Sequence, residues 1–213
     1  MKKILLVDVD SKIPNIALMK LSTYHKELND NVELKILNYD YYPHNKNYVI
    51  YTDDYDLVYV STIFKNNVGR VKLFGSAEVR FGGVAESLET KLPIDVESCS
   101  LDYSIYPDNK ISYGFITRGC IRNCYFCVVR EKEGLIHKYR NIDQIVKHKK
   151  VNFLDNNILA YPKANEILQE LIDKKISCWF NSGLDIRLIN EENAYLLSQL
   201  KYLGEYIFAF DLI

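Results

Sequence analysis

The sequence predicts an α/β fold, and three observations carry that prediction. Short runs rich in Val, Ile, Leu and aromatic residues alternate with stretches of helical period along most of the 213 residues. Several of these runs end on Asp, Asn or Gly, as buried parallel strands do where they pass into loops. A Pro- and acid-containing stretch over residues 93–110 then interrupts the alternation, which resumes beyond it.

The first region reads in order as follows. Lys3-Ile-Leu-Leu-Val-Asp-Val is a buried-type strand, and Asp10 and Ser11 are expected helix caps, with Pro14 in the first turn. Ile16, Leu18, Leu21 and Leu28 follow a helical period, which places His25 inside a helix as a packed or solvated side chain. Val32–Leu37 alternates as a half-buried strand, Leu57–Ser61 is a second buried run, and Val79-Arg-Phe-Gly-Gly is a strand breaking on two glycines. Residues 39–56 are dense in Tyr, Asp and Asn. Tyrosines beside cations can stack on bases, but these lie among aspartates, so a solvated loop containing His44 is expected. Strands alternating with helices give a small Rossmann-like parallel sheet over residues 1–92, followed by a linker over 93–110.

In the second region, residues 111–213, apolar Ile111, Tyr113, Phe115 and Ile116 form a strand leading into a cysteine-rich loop. Arg140–His148 reads as a short helix with a basic end that suits its dipole, His148 lying in the last turn. Val151–Asp155 is a strand, Ala164–Lys174 an amphipathic helix, Ile176–Phe180 a strand, Glu191–Leu200 a helix and Tyr206–Asp211 a fourth strand. Such β/α repetition builds barrels whose sites gather at the strands' C-terminal ends. Asp155 follows the second of these strands, while Asn181, Asp185 and Arg187 follow the third.

Composition narrows the function. With 48% hydrophobic and 26% charged residues the chain is ordinary for a globular protein, and a net charge of −1 supplies no general field for nucleic acid or anionic membrane. No apolar run reaches membrane-spanning length, and Met1-Lys2-Lys3 leads straight into a strand, so a cytoplasmic protein is expected. Three of five cysteines, Cys120, Cys124 and Cys127, fall on one short loop; chance explains this poorly, and clustered thiols suit a metal centre in a reducing compartment. Cys99 and Cys178 are expected to be ordinary thiols.

Cys-x3-Cys-x2-Cys, with Phe126 before the last cysteine, Thr117-Arg118-Gly119 before the first and Gly134 after the loop, resembles the signature of the radical S-adenosylmethionine (SAM) superfamily. More narrowly, the chain resembles members with a cobalamin-binding-like N-terminal domain, to which Gly82-Gly83 and Asp102-Tyr103-Ser104 also correspond. The resemblance implies a partial radical SAM-type β/α barrel and a [4Fe–4S] cluster on Cys120, Cys124 and Cys127. Four thiolates normally hold such a cluster, so three leave one iron open; in the family that iron binds SAM, whose reductive cleavage gives a 5′-deoxyadenosyl radical. It further implies that Phe126 positions the adenine, that Asp155 binds the methionine amino group, and that Asn181, Asp185 and Arg187 contact SAM or substrate. For Asp185 and Arg187 a structural ion pair is an equal alternative, while Arg118 and Arg122 would neutralise the cluster. A reductant such as flavodoxin or ferredoxin is an implied partner, and the reaction stays open between oxidoreductase and transferase chemistry. Cobalamin also stays open as a cofactor, although the Asp-x-His-x-x-Gly motif of cobalt-ligating relatives is absent and the corresponding loop reads Asp8-Val-Asp-Ser-Lys-Ile.

Two other readings compete: a non-catalytic zinc module with His137 as fourth ligand, and a regulatory subunit that keeps a cluster without cleaving SAM. The chain stops inside its fourth expected β/α unit, where the family core has six. A truncated chain, a split enzyme completed by a second chain, and closure by oligomerisation all fit that stop.

Overall fold

A computed structural model describes residues 1–37 and 47–211, so the expectation for His44 lies outside the described residues. The protein is mixed α/β with several parallel sheets, and the chain divides into two compact units, Met1–Asn109 and Lys110–Ile213.

In chain order the first unit contains β1 (Lys3–Asp8), α1 (Ile16–Glu27), β2 (Asn31–Ile36), β3 (Tyr48–Tyr51), β4 (Leu57–Ser61), β5 (Val71–Phe74), β6 (Glu78–Gly82) and α2 (Ile94–Ser98). Four strands make a parallel sheet in the order β2-β1-β4-β6. Because side chains alternate across a strand, β1 feeds two cores. Ile4 and Leu6 pack with Leu57, with Leu18 and Leu21 of α1 and with Val96 of α2, whereas Leu5 and Val7 pack with Val58, Val60, Ile50 and Val71. Each fully buried Leu or Ile in these layers contributes roughly 1.5–3 kcal/mol.

The second of those layers departs from the sequence reading. β3 and β5 pair in parallel as a separate two-stranded ribbon, so strands lie within the connections that leave β2 and β4. Part of the expected solvated loop is therefore β3. Its Ile50 is buried while Val49 and Tyr51 are exposed, a period of two that the surrounding Tyr, Asp and Asn residues conceal.

The cap of α1 also differs from expectation. Asn15 is the N-cap, its Oδ1 accepting from the amides of Ala17 and Leu18 at 3.1 and 3.2 Å. Pro14 disfavours helical backbone at Ile13, which moves the start beyond it. Asp10 instead accepts from the amides of Ile63 and Phe64 and from Asn67 Nδ2. His25 is buried and packed, as expected, with Asp30 Oδ2 2.9 Å from one ring nitrogen and the Tyr59 hydroxyl 3.1 Å from the other.

Residues 93–109 pack within this unit. Tyr106 donates to Asp8 Oδ2 at 2.7 Å, and Asp102 accepts from Ser22 Oγ and Lys26 Nζ. Burial raises the Asp102 pKa, but hydrogen bonds from Lys26, Ser104 and Ser22 outweigh it and bring the carboxyl down to about 2. Gly83 (φ +100°) closes the end of β6, where an added Cβ would lie 2.1 Å from the Thr62 carbonyl oxygen.

The second unit contains β7 (Ile111–Gly114), β8 (Thr117–Arg118), α3 (Val129–Glu133), β9 (His137–Lys138), α4 (Ile142–Ile145), β10 (Lys150–Phe153), α5 (Ala164–Asp173), β11 (Ser177–Phe180), β12 (Leu184–Asp185), α6 (Glu191–Gln199) and β13 (Phe208–Ala209). β10 lies between β7 and β11 in a parallel sheet. Val151, Phe153, Cys178 and Phe180 pack with Ile167, Leu168 and Leu171 of α5 and with Leu196 and Leu197 of α6. Ala164, Ile167, Leu168 and Leu171 are the buried residues of α5 and follow the helical period seen in the sequence. Burial pushes the Cys178 thiol up to about 12, so it is an inert core side chain. Helix α4 ends at Ile145, leaving His148 beyond it, where its amide donates to Ser112 Oγ. The expected fourth strand is reduced to β13, which pairs with β12 rather than extending the three-stranded sheet.

Replacing Asn15 by Ala removes the cap of α1 and its bonds to Ser11 and Ser61. Urea unfolding of Asn15→Ala will show a loss of about 1–2 kcal/mol; a change below about 0.5 kcal/mol would contradict this role.

Candidate metal centre

The three cysteines lie on an excursion from β8 to β9 that is pinned at its base. β8 and β9 pair antiparallel, Thr117 opposite Lys138 and Arg118 opposite His137. Just inside that ladder Gly119 adopts φ +86°, and an added Cβ there would sit 2.4 Å from the Leu135 carbonyl oxygen, so only glycine lets the two arms meet. The Cys120 amide donates to the Gly134 carbonyl at 3.2 Å, and the Cys127 amide closes a turn onto the Cys124 carbonyl at 2.9 Å.

A second set of bonds ties the excursion to the segment after β10. Asp155, 2% exposed, accepts from the amides of Ile116 and Thr117 and, at 2.7 Å, from the Thr117 hydroxyl. Burial pushes its carboxyl up to about 6, against the lowering effect of those bonds. Asn156 Oδ1 accepts from the Gly119 amide at 3.1 Å. Asn157 Nδ2 lies 3.4 Å from Cys120 Sγ, which also accepts from the Arg122 amide at 3.3 Å. Asp155-Asn156-Asn157 thus holds three successive points of the loop's entry.

A third tie comes from the segment after β11. Asp185, 4% exposed, accepts from Arg122 Nε at 2.8 Å and from Arg187 Nε at 2.7 Å. Burial raises its pKa, but the bonds from Arg187 and Arg122 prevail and hold the carboxyl below its usual range. Two guanidinium groups thus meet at one carboxylate beside the loop; the Asp211 carboxylate also acts on Arg187, whose charge would favour a thiolate at Cys124. Arg118 pairs with Glu133 at 2.7 Å and lies over the rings of Phe115 and Tyr139.

These positions bear differently on the expected roles. Both Asp155 oxygens are engaged with the loop's own backbone and hydroxyl, so this residue organises the loop entry. Asp185 and Arg187 form the ion pair that the sequence left as an alternative, with Arg122 as a further partner. Asn181 is exposed and its Oδ1 accepts from Asn152 Nδ2 at 3.2 Å. Phe126, 58% exposed, meets Tyr125 edge-on at the loop surface and is not a core residue. His137 is exposed, with Nδ1 2.9 Å from the Leu135 carbonyl oxygen. The run Asp155-Asn156-Asn157 after a buried strand is visible in the sequence, which singles out Asp155 as the candidate and assigns no role to Asn156 or Asn157.

The donor set suits a soft metal centre: three free thiols within eight residues, Cys120 and Cys124 half-buried and Cys127 exposed. Among the described residues no group of three His, Cys, Asp or Glu side chains is gathered around a common point. No helix among the described residues is long and apolar enough to cross a membrane. Compared with protein-family models and with curated proteins, the chain matches none.

The buried Asp155 gives a pH-dependent signature. Its folded pKa is raised, so the stability linked to it is fully present below the unfolded value of about 4 and is lost as pH rises through about 6. Between about pH 4 and pH 6.5 the wild type should lose on the order of 2–3 kcal/mol relative to Asp155→Asn. A stability difference that stays flat across that window, in urea titrations at several pH values, contradicts the assignment.

Proposed function

We propose that this chain is a radical SAM protein, or part of one, in which Cys120, Cys124 and Cys127 hold a [4Fe–4S] cluster. The observation that carries the reading is the Cys-x3-Cys-x2-Cys loop, pinned by β8 and β9 and entered from parallel strand β7. In this reading the first unit is a Rossmann-like domain and the second contributes part of a β/α barrel.

When bound, the cluster would supply the electron that cleaves SAM to methionine and a 5′-deoxyadenosyl radical, with a small redox protein as its source. The chain's own residues provide the setting. Asp155 and Asn156 fix the loop entry at Ile116, Thr117 and Gly119. Arg122 and Arg187, sharing Asp185, set positive charge beside an anionic centre. Phe126, exposed on the loop, is available to lie against the adenine of SAM. Asn181, exposed after β11, is available for ribose or substrate. A centre of three free thiols fits the reducing cytoplasm.

In the first unit Asp8 at the end of β1, and Asp10 and Asn15 beyond it, hydrogen-bond within the unit, and the loop after β1 contains no histidine. A scaffold or substrate-covering domain is therefore favoured over a cobalamin-binding one.

Anaerobic incubation of the iron-loaded chain with dithionite and SAM tests the reading. Wild type is expected to form 5′-deoxyadenosine and Cys124→Ala to reduce it at least a hundredfold, on the order expected when an essential catalytic group is removed. An iron-loaded wild type that forms no more product than Cys124→Ala would contradict the enzymatic reading and leave a cluster-holding module.

A further inference from the structure

Asn157 occupies an unusual position. It is 6% exposed, its Nδ2 is 3.4 Å from Cys120 Sγ and 3.5 Å from Asp185 Oδ2, and its Oδ1 is buried with no hydrogen-bond partner among the described residues. A buried amide with an unpaired carbonyl is costly, and an apolar side chain of similar size would avoid that cost. What the amide provides is its donor end, directed at the first cysteine of the motif and at the carboxylate that binds Arg122 and Arg187.

We propose that Asn157 is a positioning residue for Cys120 that raises the electron affinity of the centre bound by the three cysteines. This rests on the cluster reading above. Two donors converge on Cys120 Sγ, the Arg122 amide and Asn157 Nδ2. Hydrogen bonds to cluster sulfurs raise reduction potential, because they stabilise the more negative, reduced state. The Arg122 amide belongs to the loop itself and moves with it. Asn157 stands on the segment after β10, so it also fixes where the Cys120 sulfur lies relative to the strand ends.

The test compares wild type with Asn157→Leu and Asn157→Ala after anaerobic iron loading, by redox titration followed with EPR, together with iron content and far-ultraviolet circular dichroism. Both variants are expected to titrate at more negative potential, the ratio of reduced to oxidised cluster at fixed poise falling about tenfold, a shift of about 59 mV for one electron. Loss of iron from both variants with unchanged circular dichroism also supports the positioning role, since Asn157 is not a ligand. A variant that loads iron as wild type does and titrates at the same potential overturns the proposal and leaves the cluster reading intact. A wild type that takes up no iron overturns the cluster reading, and this inference with it.

Discussion

The second unit depends on a buried carboxylate. Asp155 sits just beyond the central strand β10, almost wholly removed from water, and takes hydrogen bonds from Ile116 and Thr117 at the point where the chain leaves β7 for the cysteine loop. A charge in that position is expensive to bury, which is why its pKa is raised despite three donors. The bonds that partly offset this cost act across 38 and 39 residues of sequence. They convert a long loop into one with a fixed entrance, and Asn156, Asn157 and Asp185 extend the same control to Gly119, Cys120 and Arg122.

This arrangement separates two demands on the loop. Its base is set by the β8–β9 ladder and by a glycine whose backbone no other residue can adopt without collision. Its outer part, with Tyr125 92% exposed and Cys127 in solvent, has few such restraints among the described residues. In the proposed reading, thiols at the less restrained tip would gather on a metal centre while the base stays fixed to the sheet. Around them Asp185 concentrates two arginines, so the positive charge is itself held in place.

How much of this was legible in the sequence follows the range of each interaction. Strands β1, β4, β10 and β11 were readable because their apolar runs are local signals, and α5 because its buried residues repeat every three or four positions. The motif at Cys120, Cys124 and Cys127 was readable because it is written in spacing alone. Strand β3 was not, since only Tyr48 and Ile50 face inward and polar neighbours hide the alternation. Asn15 rather than Asp10 caps α1 because Asp10 binds a segment more than fifty residues away. The grip of Asp155 and Asn157 on the loop was hidden for the same reason: a polar residue after a strand announces a strand end, but its partner lies far off in the chain.

The central claim is that the cysteine loop exists to hold a metal cluster with one open position. Its most direct test is anaerobic iron and sulfide reconstitution followed by EPR of the reduced protein with and without SAM. The account predicts about four irons per chain and a cluster signal that changes when SAM is added. A colourless protein that retains zinc and gives no such signal would contradict it.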